Sequence, residues 1–176
     1  MNKTGGNLSF EKKKEKQKER GGKGLSLKVE DIMVTDVITV DANLTVKEAA
    51  QIMNKFEIGC LVAVDKGKAT GILTERDLLK RVVAEARDVE KTKIKDVMSS
   101  PLIVVEPEME LEDAAKLMFE MKIKKLPVVK GKQLVGLITL TDIARFQPQI
   151  MKILKQLSQR EQTPKRMKKI INHYVV

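Results

Sequence analysis

Thiol and imidazole are almost missing from this chain: 176 residues contain one cysteine, Cys60, and one histidine, His173. A single cysteine excludes an internal disulfide and a multi-thiolate zinc site, and a single histidine makes a His-ligated metal or a Cys-His nucleophilic pair hard to build. No metal site is expected, and Cys60 reads as a small core residue rather than a reactive thiol. There is no Ser-His-Asp set, and the glycines of the N-terminal tail lack P-loop spacing. Nothing here supports catalysis, so a protein that is not an enzyme is the expectation. Aromatic residues make up only 3%, few for stacking on nucleic-acid bases. No stretch approaches the roughly 18 apolar residues that span a bilayer, which makes a soluble cytoplasmic protein the default.

Positive charge, by contrast, is abundant and unevenly placed. Of the net charge of +10, residues 1–24 carry +5 and residues 145–176 carry +7, leaving residues 25–144 at −2. A polyanionic partner would therefore be held by the ends rather than by the middle. The N-terminal block contributes Lys12, Lys13, Lys14, Lys16, Lys18 and Arg20; with no apolar face to bury, it reads as disordered. Near the C-terminus, Lys165, Arg166, Lys168 and Lys169 line the polar face of a stretch whose apolar stripe is Met167, Ile170, Ile171 and Tyr174. An earlier stripe uses Ile150, Ile153, Leu154 and Leu157.

The middle of the chain is one unit written twice. Residues 31–81 recur at 96–146 with a constant offset of 65 and no gap. In each copy a short strand (residues 37–40; 103–105) precedes a helix with one apolar face. That face is Val46, Ala49, Ala50, Met53 and Phe56 in the first copy and Leu111, Ala114, Ala115, Met118 and Met121 in the second. Two hairpin strands follow (61–64 and 69–73; 126–129 and 133–138), and Thr74 or Thr139 opens a last helix, the first running to about residue 86. Thr45 and Glu48 form a capping box at the first helix. A β-α-β-β-α unit of about 50 residues buries too little apolar surface to be stable alone, so the copies should pack on each other about a pseudo-two-fold axis, leaving a cleft between them.

Each unit ends in related segments, Gly71-Ile72-Leu73-Thr74-Glu75-Arg76-Asp77 and Gly136-Leu137-Ile138-Thr139-Leu140-Thr141-Asp142. Asp31-Ile32-Met33 and Asp96-Val97-Met98 open the units, and Leu126-Pro127-Val128-Val129 precedes the second hairpin. This duplicated unit resembles the CBS domain, and the tandem arrangement resembles a stand-alone CBS pair, or Bateman module, of archaeal or bacterial type. The fold class expected is thus α/β in the α+β sense: paired β-α-β-β-α units with a disordered basic N-terminal tail and a helical basic C-terminal extension. The divisions are 1–24, 25–88, 89–146 and 147–176.

The resemblance implies adenosine-containing ligands, AMP, ADP, ATP or S-adenosylmethionine, bound as regulators between the copies. It implies that Asp77 and Asp142 hold ribose hydroxyls and that Thr74 and Thr139 meet a phosphate oxygen. An ionised carboxylate can accept from both hydroxyls, and a Thr hydroxyl beside free helix N–H groups suits an anion. The same Thr-x-x-Asp spacing is also a capping box, and the two roles are compatible. Val37 and Ile38 in the first copy, and Leu102 and Ile103 in the second, would line an adenine slot while serving as strand core. Thr35 and Ser100 are polar contacts or turn residues. The copies differ in cations: Arg76 is matched by Thr141, and Lys124-Lys125 by Gly59-Cys60. Arg76, Lys124 and Lys125 are either phosphate contacts or solvated surface charges, and the inequality suggests two unlike sites.

Two functions remain in view. In one, an adenosine-ligand sensor is attached by its tails to RNA, with the ribosome as the candidate, since lysine-rich segments bind phosphate backbones by counterion release. In the other, the pair regulates a partner enzyme or transporter, with the tails serving solubility or dimerisation. A homodimer of pairs is implied by the resemblance.

Overall fold

The computed structural model describes residues 27–150, 152 and 155; the basic tail residues at 12–20 and 165–169 lie outside them. Two short helices, α1 (Val29–Ile32) and α4 (Ile94–Val97), open the two repeats. The first repeat continues with β1 (Thr39–Asp41), α2 (Val46–Phe56), β2 (Cys60–Asp65), β3 (Lys68–Thr74) and α3 (Glu75–Leu78), which passes into a π-helical turn at Leu79–Val83. The second has α5 (Leu111–Glu120), β4 (Lys125–Lys130), β5 (Gln133–Thr139) and α6 (Leu140–Phe146).

Local chemistry accounts for the boundaries. Thr45 caps α2, its hydroxyl accepting from the Glu48 N–H while the Glu48 carboxylate accepts from the Thr45 N–H at 2.8 Å. Glu57 ends that helix with φ 51°, and Lys122 follows α5 with φ 56°, so the repeats turn out of their long helices in the same left-handed conformation. The helical stripes are buried at Val46, Ala49 and Met53 and at Leu111, Ala114, Ala115 and Met118; Ala50, Phe56 and Met121, expected on the same faces, are exposed.

The first sheet has order β1-β2-β3, with β1 parallel to β2 and β2 antiparallel to β3; the second contains only antiparallel β4 and β5. The strand expected at residues 103–105 is reduced to one bridge between Val105 and Val128. Two prolines, Pro107 and Pro127, are the cause: Pro107 stands where Ala42 of the first repeat donates its N–H to the Val64 carbonyl at 2.9 Å, and Pro127 limits the other side. At the position matching Pro127 in the first repeat, Val62 donates its N–H to the Ile38 carbonyl at 3.4 Å. Proline has no N–H to donate to Ile103, so the parallel ladder is not extended there.

Two hydrophobic clusters form the core, and each takes its opening helix from the other end of the pair. Val29 and Ile32 of α1 are buried with Val105, Leu111, Met118, Leu126 and Ile143 of the second repeat. Ile94 and Val97 of α4 are buried with Val46, Leu61, Leu73 and Val82 of the first. The connecting segments run between the units and are pinned by reciprocal backbone bonds, Val34 with Leu137 and Ser99 with Ile72. Gly71 and Gly136 permit this approach. A Cβ on Gly136 would lie 2.6 Å from the Met33 sulfur and 3.0 Å from the Val34 carbonyl oxygen, and one on Gly71 would overlap Met98.

Candidate functional site

Because the opening segments are exchanged, the end of one repeat faces the start of the other. A cleft of about 550 Å³, within the usual size for small-molecule sites, is lined by the first motif (Ile72, Thr74, Glu75, Arg76, Asp77) and by Ser99, Pro101 and Ile103 of the connecting segment. Lys122, Ile123, Lys124, Lys125 and Pro127 of the second repeat complete it together with Gly59. Arg76, Lys124 and Lys125 therefore converge on one cleft, joined by Lys122, rather than being divided between two.

Asp77 is the one buried charged residue among those described. Its Oδ2 accepts from the Thr74 N–H at 3.0 Å and from the Thr74 hydroxyl at 2.6 Å, while the Asp77 N–H donates to Thr74 Oγ1 at 3.3 Å. The capping box is thus formed. Its Oδ1 accepts from the Ser99 hydroxyl at a long 3.3 Å and lies 3.6 Å from Arg81 Nη1. A carboxylate has about four acceptor positions, so Oδ1 retains capacity for a ligand hydroxyl. The Thr74 hydroxyl proton is engaged by Asp77, which leaves the arginine and lysine side chains as the donors suited to an anion here.

Arg81 was not singled out by the motif, yet it organises the site. Nη1 donates to the Val97 and Met98 carbonyls at 2.6 and 2.7 Å, and Nη2 lies 3.4 Å from Ser99 Oγ. It closes the C-terminal end of α4 and holds the connecting segment against Asp77. Its signal in the sequence is an acid and a base four residues apart on one helix face. Lys122 was legible as part of a basic run, whereas Ser99 and Pro101 become site residues only through the exchange of segments.

Ser100 turns the other way, donating to the Thr70 carbonyl at 3.0 Å; neither Ser100 nor Leu102 lines the cleft, whereas Ile103 does. Thr35, Val37 and Ile38 lie on the segment that leaves the second motif, since their neighbour Val34 pairs with Leu137. There Thr139 and Asp142 repeat the box, Oδ2 accepting at 3.0 and 2.6 Å. Cys60 is buried, and that burial pushes its thiol pKa up; the nearby Lys125 ammonium opposes the shift and the Glu75 carboxylate adds to it. This is an inert thiol beside a cationic wall.

Two interleaved α/β repeats with a polar cleft built from the motif of one and the entry of the other define a tandem ligand-cleft module. Family comparison makes the class specific: the CBS domain model matches residues 29–84 and 94–148, and the chain belongs to that family, with two repeats. It is 41% identical over 116 residues to the CBS domain-containing protein YhcV of Bacillus subtilis, covering 66% of this chain and 82% of the relative. Among solved structures, the conserved CBS domain protein TA0289 of Thermoplasma acidophilum superposes with a TM-score of 0.69 at 33% identity, covering 78% of each chain. The CBS domain pair of protein MJ0100, solved with 5′-methylthioadenosine and S-adenosyl-L-methionine, gives a TM-score of 0.63 at 32% identity, over 69% of this chain and 95% of that one. No helix among the described residues is long and apolar enough to cross a membrane.

Proposed function

We propose that this chain is a non-catalytic regulatory module of the cytoplasm whose first cleft binds an adenosine nucleotide. One observation carries the reading: Asp77, a buried carboxylate with acceptor capacity left on Oδ1, shares a cleft with Arg76, Lys122, Lys124 and Lys125. The carboxylate takes the ribose, Ile72 and Ile103 offer apolar surface to the base, and the cations take the phosphates, so ATP or ADP is favoured over ligands without phosphate. The adenosine ligands bound by MJ0100 support the class of compound.

Calorimetric titration with ATP, AMP and S-adenosylmethionine tests it. Asp77→Asn keeps a capping side chain but loses the anionic acceptor, and ATP affinity should fall about 10- to 100-fold, the value of one or two charge-assisted hydrogen bonds. Unchanged ATP affinity in a folded D77N protein would refute the assignment.

The exposed apolar side chains of Phe56, Leu79 and Val83 support pairing of two modules through their helical faces. The basic ends, net +5 and +7, we read as attachment points for RNA, the ribosome being the candidate. Removing residues 1–24 and 151–176 should abolish a steeply salt-dependent RNA affinity; RNA binding that survives the truncation rules the tails out.

A further inference from the structure

We propose that the two pseudo-symmetric clefts sort adenosine ligands by charge, the first taking a phosphorylated nucleotide and the second, around Thr139 and Asp142, an adenosine compound without phosphate, neutral or cationic. This rests on the adenosine reading above and adds the ligand class of the second cleft.

The backbones of the two clefts correspond closely, apart from the cis Ser100–Pro101 bond that Thr35–Asp36 does not share. Val34 and Leu137 exchange bonds of 2.9 and 2.8 Å where Ser99 and Ile72 exchange bonds of 2.9 and 3.0 Å, and the Thr-Asp boxes agree within 0.1 Å. Glu57 and Lys122 leave their helices with φ 51° and 56°. Residues 65 apart therefore occupy equivalent places, and the side chains they supply differ in sign.

Where the first cleft has Lys122 the second has Glu57, and where the first has Pro101 the second has Asp36. Arg76 is replaced by Thr141 and Lys125 by Cys60. Lys124 stands close to the axis, its carbonyl accepting from the Leu140 N–H of the second motif; it lines the first cleft and by the same correspondence takes the place of Gly59 at the second, where it is the one cation of this set. Asp142 is also less compensated than Asp77. Ser99 and Arg81, which face Asp77 Oδ1, have Val34 and Phe146 as their counterparts. By this correspondence Asp36, Glu57 and Asp142 fall at the second cleft, while Glu75 of the first gives way to Leu140.

Each repulsion between a phosphate charge and a carboxylate about 8 Å away costs roughly thirtyfold in affinity at an effective dielectric near 20. A triphosphate is excluded on this ground. A thioether nucleoside meets no such penalty, and a sulfonium or ammonium group is attracted. The same fold and the same ribose carboxylate then report two different solutes, each through its own connecting segment.

Titration of the full chain with ATP, and of the ATP-saturated chain with 5′-methylthioadenosine and S-adenosylmethionine, decides the matter. We expect one ATP per chain, weakened about 10- to 100-fold in Asp77→Asn, and one further event for the phosphate-free compounds, weakened to the same extent in Asp142→Asn. Glu57→Lys with Thr141→Arg, both at exposed positions, should create a second ATP event at least tenfold tighter than any in the unmodified second cleft. This charge swap keeps the test valid if the Asp142 variant misfolds. Two equal ATP sites in the unmodified chain, competition of ATP with 5′-methylthioadenosine for a single site, or no second ATP event after the charge swap would overturn charge sorting and leave the adenosine reading intact. Absence of heat with every one of these compounds overturns both.

Discussion

Asp77 and Arg81 tie the first motif to the segment that connects the repeats. Arg81 donates to the last carbonyls of α4 and stands beside the carboxylate that faces the cleft. Replacement by alanine leaves the Val97 and Met98 carbonyls without their charged donor. Hydrogen bonds to charged groups contribute about 1.5–3 kcal/mol, so Arg81→Ala should destabilise the chain by roughly that amount in urea titration. Lysine has the charge but not the planar fork that reaches two carbonyls and Ser99 together, and Arg81→Lys should recover less than half of the loss. Full recovery by lysine would mean that charge alone matters at this position. Because the connecting segment is released in both variants, ATP affinity at the first cleft should fall as well.

At the level of elements, helices and hairpins were legible because their signals are local: the Thr45-Glu48 box, the 3.6-residue stripes and the turn glycines act within a few residues of themselves. The strand before α5 shrinks because Pro107, two residues beyond it, and Pro127, more than twenty away, both lack the N–H its ladder needs, and only the first of these is a local signal. The motif that lines the cleft was legible as residue types, but its partners were not, since Ser99, Pro101 and Lys122 join it only through the exchange of segments between repeats. The motif glycines record that exchange. Gly136 lies against Met33 and the Val34 carbonyl, neither of them in its own repeat. Gly136→Ala should cost about 1–3 kcal/mol from overpacking. Shortening Met33 to alanine removes only part of the obstruction, because the carbonyl at 3.0 Å stays. A double-mutant cycle of Gly136→Ala and Met33→Ala should therefore show favourable coupling of about 0.5–2 kcal/mol without full rescue. Strict additivity would place Met33 elsewhere.

For the whole molecule, the exchanged helices make the two repeats a single folding problem. A cut drawn at the repeat boundary, giving residues 27–88, keeps α1 without the core that buries it and discards α4, whose Ile94 and Val97 are fully buried in the first cluster. Burying two such side chains contributes roughly 3–6 kcal/mol, comparable with the entire stability of a small domain, about 5–15 kcal/mol. The lost segment also supplies the Ile94 and Lys95 N–H groups that bond the Leu44 and Ala42 carbonyls at 2.9 and 3.0 Å, and the two carbonyls held by Arg81. A fragment of residues 38–99 has the same length but contains the whole first cluster. It should show far-ultraviolet helix signal and a cooperative urea transition where residues 27–88 show neither, although it should remain weaker than the full chain because its contacts with the second repeat are gone. Equal behaviour of the two fragments would mean that α4 adds little to the first core. A folded 38–99 would locate the stable unit across the repeat boundary, with the cleft formed where two such units meet.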